Sequence, residues 1–104
     1  MVAHLKLAES FQYKLDAGEV ATRAALARQY GLTRARITQL LDLLKLDPSI
    51  LNYVRNLPAG TPERMVTERT LRRLVRLSRE SQLRDAEKHV AGFAAHLVGR
   101  RLVG

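Results

Sequence analysis

The chain has 104 residues, and its 18 Lys and Arg against 10 Asp and Glu give a formal net charge of +8. This length suits one domain, and 46% apolar residues are enough for a modest core. The absence of cysteine excludes disulfides, thiolate metal sites and a cysteine nucleophile. So basic a composition indicates an anionic partner, and nucleic acid is the first candidate.

Helical spacing of apolar residues runs through the chain, and no stretch alternates apolar and polar residues as a strand does. The first helix is followed by Gly18, a candidate left-handed cap. Thr22 and Thr33 are candidate N-caps of a second helix that ends near Tyr30 and a third that reaches Lys45. These signals predict an all-α protein.

Three further helices are predicted in the second half of the chain. Asp47 and Pro48 form a cap followed by proline at the first helical position, which indicates a fourth helix. Thr67 can cap an Arg-rich fifth helix over 67–79, and an amphipathic sixth helix covers 81–99. The expected architecture is a compact bundle of about five to six helices in a single domain that takes in the whole chain.

Segment 22–45 has the pattern of a helix-turn-helix, with a tight turn at residues 31–33. Ala27 is small where the second helix crosses, and Gly31 supplies the positive φ that ends the first helix. Tyr30 is expected to pack under the second helix of the motif. In DNA-binding proteins that helix enters the major groove. An ordinary helical hairpin is the alternative, but it does not explain the polar, cationic outward face.

Centring the buried face on Ile37 assigns roles to the outward residues. The candidate base contacts are Arg34, Ala35, Thr38 and Gln39. Arg34 matches guanine and Gln39 matches adenine, because their donors and acceptors fit those base edges. The candidate phosphate contacts in this motif are Thr22, Thr33 and Arg36. Simple solvent exposure is the alternative for each residue, and it is favoured for Asp42, whose carboxylate needs a cytosine amine or a basic partner.

The predicted fifth helix has an apolar face and an opposite face of arginines at i, i+3, i+4 and i+7 spacing. The arginines are Arg69, Arg72, Arg73 and Arg76, all candidate phosphate contacts. Such a row can follow a phosphate backbone. The alternative is a solvated face partly neutralised by Glu68 and Glu80. Weaker phosphate candidates are Arg64, Arg100 and Arg101.

Residues 24–77 resemble the helix-turn-helix domain of the ParB/KorB family of plasmid and chromosome partition proteins. The resemblance lies in Leu26-Ala27, Tyr30-Gly31-Leu32-Thr33-Arg34, residues 37–46, Asp47-Pro48-Ser49-Ile50 and Thr67-Glu68-Arg69-Thr70-Leu71. It implies an all-helical, sequence-specific DNA-binding domain. The family's nucleotide-binding domain has no counterpart in these residues, so nucleotide-driven clamping is not expected. Free-standing domains of this kind fit small regulators or accessory factors of plasmids, phages and other mobile elements.

The apolar stripe of the predicted last helix needs a cover. Its members are Leu83, Ala86, Val90, Phe93, Ala94 and Leu97. The cover is either the chain's own first helix or the same helix of a second chain. A homodimer is favoured, because helix-turn-helix proteins often bind palindromes as dimers and Gly92 permits close helix approach.

Catalytic and cofactor signals are missing from the sequence. His4, His89 and His96 lack metal-binding spacing, and there is no phosphate-binding glycine loop. We expect neither an enzyme nor a cofactor. The sequence also lacks a secretory h-region and a long apolar run, so a cytoplasmic protein without a membrane partner is expected.

The sequence therefore predicts a sequence-specific binder of double-stranded DNA, either a transcriptional regulator or a recombination or partition accessory factor. The alternative is a helical interaction module that docks its arginines on an acidic protein, such as a recombinase or polymerase subunit. Structured RNA is a third option, although only 5% of the residues are aromatic and can stack on bases.

Overall fold

The computed structural model describes residues 1–103, and it describes side chains for residues 1–99. All regular elements in that range are helices. The α-helices are α1 (Val2–Asp16), α2 (Arg23–Tyr30), α3 (Arg34–Asp42), α4 (Pro48–Arg55), α5 (Glu68–Val75), α6 (Arg79–His89) and α7 (Phe93–Val103). Short 3-10 helices cover Leu43–Lys45 and Glu63–Met65. The all-α class is confirmed, but the predicted number of helices is too low.

Contacts along the chain group it into two compact units: one is Ala3–Lys45, and the other joins Met1–Val2 with the described residues from Leu46 onward. The first unit holds α1, α2 and α3. Its buried apolar residues are Leu5, Ala8, Phe11, Leu26, Ala27, Ile37, Leu40, Leu41 and Leu43. Full burial of a Leu, Ile or Phe side chain contributes about 1.5–3 kcal/mol, so these side chains supply most of the unit's stabilisation.

The α2–α3 connection forms as the sequence predicts. Thr22 caps α2 by accepting the Ala25 N–H at 3.1 Å. Gly31 has a φ of 65° and donates its N–H to the Ala27 carbonyl, which ends α2 in a left-handed cap. Thr33 accepts the Arg36 N–H at 3.0 Å and so starts α3. The sequence alone therefore predicts this turn within a residue at each end.

In the second unit, α4 begins as predicted, with the Asp47 carboxylate accepting the Ser49 N–H at 2.9 Å. The helix predicted over 67–79, however, ends at Val75. Ser78 adopts an extended ψ of 159° and accepts the Ser81 N–H, which makes it the N-cap of α6. Arg79 therefore opens α6 and does not belong to α5.

A buried glutamine holds the α5–α6 junction. Gln82 is 2% exposed and is the one buried polar residue among the described side chains. Its Nε2 donates to the Leu77 carbonyl at 3.1 Å, and its Oε1 accepts the Asp47 N–H at 2.8 Å. Two loop backbone groups at separate points of the chain are thus satisfied by one side chain.

The prediction of one continuous helix over 81–99 is wrong, because α6 and α7 are separate helices. The break contains Gly92, whose φ of 78° is left-handed and ends the α-helical path. A Cβ on Gly92 would overlap the hydroxyl oxygen of Tyr53. That hydroxyl donates to the Ala91 carbonyl at 2.6 Å. Gly92 does permit a close approach, but by a tyrosine of the same unit.

Within the described residues, no helix is both long enough and apolar enough to cross a membrane.

Candidate nucleic-acid interface

The predicted base contacts lie on one side of α3, opposite its buried residues. We call Arg34, Ala35, Thr38 and Gln39 the reading side of α3. Arg34 is the first residue of the helix; it and Ala35 are exposed. Among the described residues, Arg34 has no hydrogen-bonding or ion-pair partner. Its five guanidinium donors are therefore available to a ligand.

The two cap threonines flank this helix entrance. Thr22 and Thr33 are exposed, and both use their hydroxyl oxygens to accept a backbone N–H of the following helix. A hydroxyl has one proton to donate, and neither cap hydrogen bond uses it. Each threonine can therefore hold its helix and donate to a phosphate oxygen at the same time.

Thr38 and Gln39 are half-buried, and arginines occupy both of them. Arg23 on α2 donates from Nη1 to Thr38 Oγ1 at 3.1 Å. Arg36 donates from Nη1 to Gln39 Oε1 at 3.3 Å, and it is itself half-buried. The structure thus places the predicted phosphate contact Arg36 beside a predicted base contact. No local sequence signal marks Arg23, because its partner lies 15 positions away.

Asp42 finds a basic partner within its own segment. Its carboxylate lies 3.0 Å from Lys45 Nζ. Simple solvent exposure is the interpretation that the sequence favours for Asp42, but in the structure the side chain is half-buried and ion-paired. The local charge near the C-terminal end of α3 is balanced as a result.

Tyr30 does not lie under α3, and this prediction is wrong. The side chain is 37% exposed. Its ring meets Phe11 of α1 edge-on, with centroids 4.8 Å apart, and the Lys14 ammonium lies 4.8 Å from the ring centre. Lys14 also donates to the Tyr30 hydroxyl. An aromatic and a cation on α1 together hold the ring there.

The predicted arginine row is present on α5. We call Arg69, Arg72 and Arg73 of α5, together with its C-cap residue Arg76, the arginine face of α5. All but Arg72 are exposed and have no partner among the described residues. Arg72 is half-buried, and its Nε lies 3.6 Å from Glu68 Oε2 without a hydrogen bond. Glu80 forms an ion pair with Arg84 at 3.6 Å and not with the arginine face.

The remaining candidates add little to these two surfaces. Arg64 is exposed in its 3-10 helix, whereas the side chains of Arg100 and Arg101 lie outside the described residues. A cavity of about 80 Å³ lies between α5 and α6, near Arg73 and His89. It is far below the ~300 Å³ at which small-molecule sites begin. Among the described residues, no three metal-ligating side chains lie close enough together to hold a metal ion.

Comparison with known proteins gives no matching family model, no matching curated protein and no matching solved structure. The resemblance to the ParB/KorB family therefore stays a prediction. What the chain can do has to be argued from its own residues.

Proposed function

We propose that this protein binds double-stranded DNA and recognises its sequence, with the first turn of α3 in the major groove. One observation carries the proposal: Arg34, the first residue of α3, is exposed and has no partner among the described residues. Side chains at this point of a helix-turn-helix reach base edges. A free guanidinium there suits the two acceptors of guanine.

The surroundings of Arg34 support the same function. Ala35 beside it is small, which lets the helix approach a base pair closely. The free N–H groups of the first turn and the Thr33 hydroxyl suit a phosphate at the groove edge. On its other side α3 is anchored by Ile37, Leu40 and Leu41, so the reading side is held in a fixed orientation.

The arginine face of α5 supplies contacts that do not depend on sequence. Three of its guanidinium groups have no acidic partner among the described residues. Cations at such spacing release counterions when they meet phosphates, so they contribute affinity for any duplex. Arg72 contributes less, because Glu68 already lies beside it.

The biological role we propose is that of a regulator or of a recombination or partition accessory factor of a mobile element, working in the cytoplasm as a homodimer. A dimer predicts two half-sites about one turn of DNA apart. Random-site selection with the purified chain gives the site, and its symmetry tests the dimer.

The test compares Arg34→Ala with Arg73→Ala on selected and scrambled duplexes at several salt concentrations. Loss of Arg34 is expected to weaken the selected site by about 1–3 kcal/mol and to relax preference at one base pair. Loss of Arg73 is expected to weaken all duplexes alike and to lower the salt slope by about one. Arg84→Ala is the matched control, because that exposed arginine already pairs with Glu80.

Equal losses from both variants on every duplex would remove the division of roles between α3 and α5. Failure to bind any duplex, together with retained binding to an acidic protein in a pull-down, would replace DNA with a protein partner. Both results are read from the same protein preparations.

A further inference from the structure

Three oxygens near the reading side of α3 already accept from cations. Thr38 Oγ1 accepts from Arg23, and Gln39 Oε1 accepts from Arg36. The Asp42 carboxylate lies 3.0 Å from Lys45 Nζ. All of these pairs lie within one unit, Ala3–Lys45, so they form independently of the rest of the chain's arrangement.

The chemistry of the partners fixes which atoms are left for DNA. Arginine has five donors and no acceptor, so Gln39 must turn its oxygen toward Arg36. Its amide nitrogen, with two donors, then remains for the groove. The Thr38 hydroxyl likewise keeps its proton, since Arg23 occupies the oxygen.

A DNA base that donates an amino hydrogen to one of these oxygens gains little binding energy. The positive charge beside each one opposes the approach of a base amino hydrogen, which is itself positive. Arg34 adds further donors and no acceptor. Ala35 adds neither. The outward side of α3 therefore presents hydrogen-bond donors almost exclusively.

The bases differ in the hydrogen-bonding groups that they present to such a surface. In the major groove guanine presents two adjacent acceptors, N7 and O6. Adenine pairs its N7 with an amino group, cytosine presents an amino group alone, and thymine presents a single acceptor, O4, beside its methyl group. Guanine is therefore the base that offers two acceptors to such a surface. A glutamine that is free to use both amide atoms reads adenine, but Gln39 held by Arg36 is not free in this way.

We propose that the reading side of α3 selects a run of guanines on one DNA strand, and that Arg36 makes Gln39 a guanine reader. The inference rests on the proposed function and names the DNA that it takes. Arg36 acts here as a positioning residue: it orients the Gln39 amide. The adenine contact expected for Gln39 from its side chain alone is replaced by a guanine contact.

The first test uses the whole wild-type chain. Random-site selection is expected to return a site with guanines in succession on one strand of each half-site. Each contacted guanine is then replaced by 7-deazaguanine, which lacks the N7 acceptor but still pairs with cytosine. We expect each contacted position to lose between about 5-fold and about 150-fold in affinity, measured by fluorescence anisotropy. Replacing adenines with 7-deazaadenine is expected to change affinity less than about twofold, because the inference assigns them no contact.

The second test releases Gln39 by Arg36→Met, which keeps an unbranched apolar stem and removes the guanidinium donors. Preference at one base pair is expected to move from guanine to adenine by at least about fivefold. Arg84→Met is the control and is expected to keep the wild-type preference. Circular dichroism checks that both variants keep their helix content, and the 7-deazaguanine result stands without either variant.

The possible outcomes test the guanine assignment and the positioning role of Arg36 separately. Losses with 7-deazaadenine but not with 7-deazaguanine, in a selected site, overturn the guanine assignment and leave DNA recognition standing. An unchanged preference in Arg36→Met overturns the positioning role. Binding without any sequence preference, or no binding to any duplex, overturns sequence recognition itself and the inference with it.

Discussion

The α2–α3 turn and the two junctions that bound α6 are held by different kinds of interaction. The caps that form the α2–α3 turn are local: Gly31 and Thr33 each bond within four residues. At the ends of α6 the decisive partners are remote. Gln82 reaches back 35 residues to Asp47, and Tyr53 reaches forward 38 residues to Ala91.

This difference has an energetic consequence. A turn that is closed by its own caps loses about 1 kcal/mol when one cap is removed, because water replaces the lost bond. A junction that depends on one buried polar side chain loses more, because the groups left behind are cut off from water. The two kinds of junction should therefore respond to substitution with different magnitudes.

The largest effect is expected from Gln82→Ala. It leaves the Asp47 N–H and the Leu77 carbonyl without their partner in a partly buried setting. Each orphaned group costs about 1–3 kcal/mol, less where water enters, so we expect the free energy of unfolding to fall by about 2–4 kcal/mol. Urea denaturation followed by circular dichroism measures it.

Gln29→Ala is the control for this substitution, since Gln29 is exposed on α2. A surface change of that kind is expected to stay within about 0.5 kcal/mol. If Gln82→Ala proved equally mild, the α5–α6 junction would not depend on its glutamine, and the contrast with the α2–α3 turn would be lost.

Gly92→Ala is expected to cost about 2–3 kcal/mol. The left-handed φ of 78° costs an alanine about 1–2 kcal/mol, and its Cβ displaces the Tyr53 hydroxyl from Ala91. A double-mutant cycle with Tyr53→Phe separates the two terms. Once Gly92→Ala has displaced the hydroxyl, removing it should cost nothing further; an additive cycle would contradict this account.

The sequence predicts those elements whose signals are local. Four helix starts were expected from caps that the structure confirms, at Thr22, Thr33, Asp47 and Thr67. Ser78 shows that a local cap can still be misplaced: it accepts the Ser81 N–H and starts α6 two residues before the predicted start at residue 81. Gly92 is not predicted as a break, because apolar spacing continues across it and its partner Tyr53 is remote. For the candidate site, helical geometry predicted which residues face outward. It could not predict that Arg23 and Arg36 hold two of them.

Gly31→Ala is expected to cost only about 1–2 kcal/mol. Its φ of 65° imposes the same backbone penalty as at Gly92, but a Cβ there has no atom within 4 Å. Gly31→Asn should cost less than the alanine variant, since Asn visits the left-handed region more readily. Thermal and urea unfolding of Gly31→Ala and Gly92→Ala in parallel would show whether the remote contact makes the difference; equal losses would show that it does not.

The arginines of the two units also differ, in how many of them already have a partner. Arg36 on α3 and Arg23 on α2 are hydrogen-bonded to side chains of the reading side, so among the described residues Arg34 is the arginine of this surface without a partner. On the arginine face of α5 most of the arginines have no partner among the described residues. Within that range, Arg72 is the member of the face with an acidic neighbour. This contrast predicts recognition on α3 and sequence-independent affinity on α5.

The smallest effect expected is a difference within the arginine face of α5. Arg72→Ala should weaken duplex binding by less than Arg73→Ala, by roughly 0.5–1 kcal/mol, because the Glu68 carboxylate 3.6 Å away already offsets the charge of Arg72. Glu68→Gln should then make Arg72→Ala as costly as Arg73→Ala, since nothing competes with phosphate for that guanidinium. Salt titrations of the two single variants, and of each in the Glu68→Gln background, measure how steeply the logarithm of the binding constant falls with the logarithm of the salt concentration. Equal slopes for Arg72→Ala and Arg73→Ala in the presence of Glu68 would mean that the ion pair opens on binding, and the face would then act as four equivalent cations.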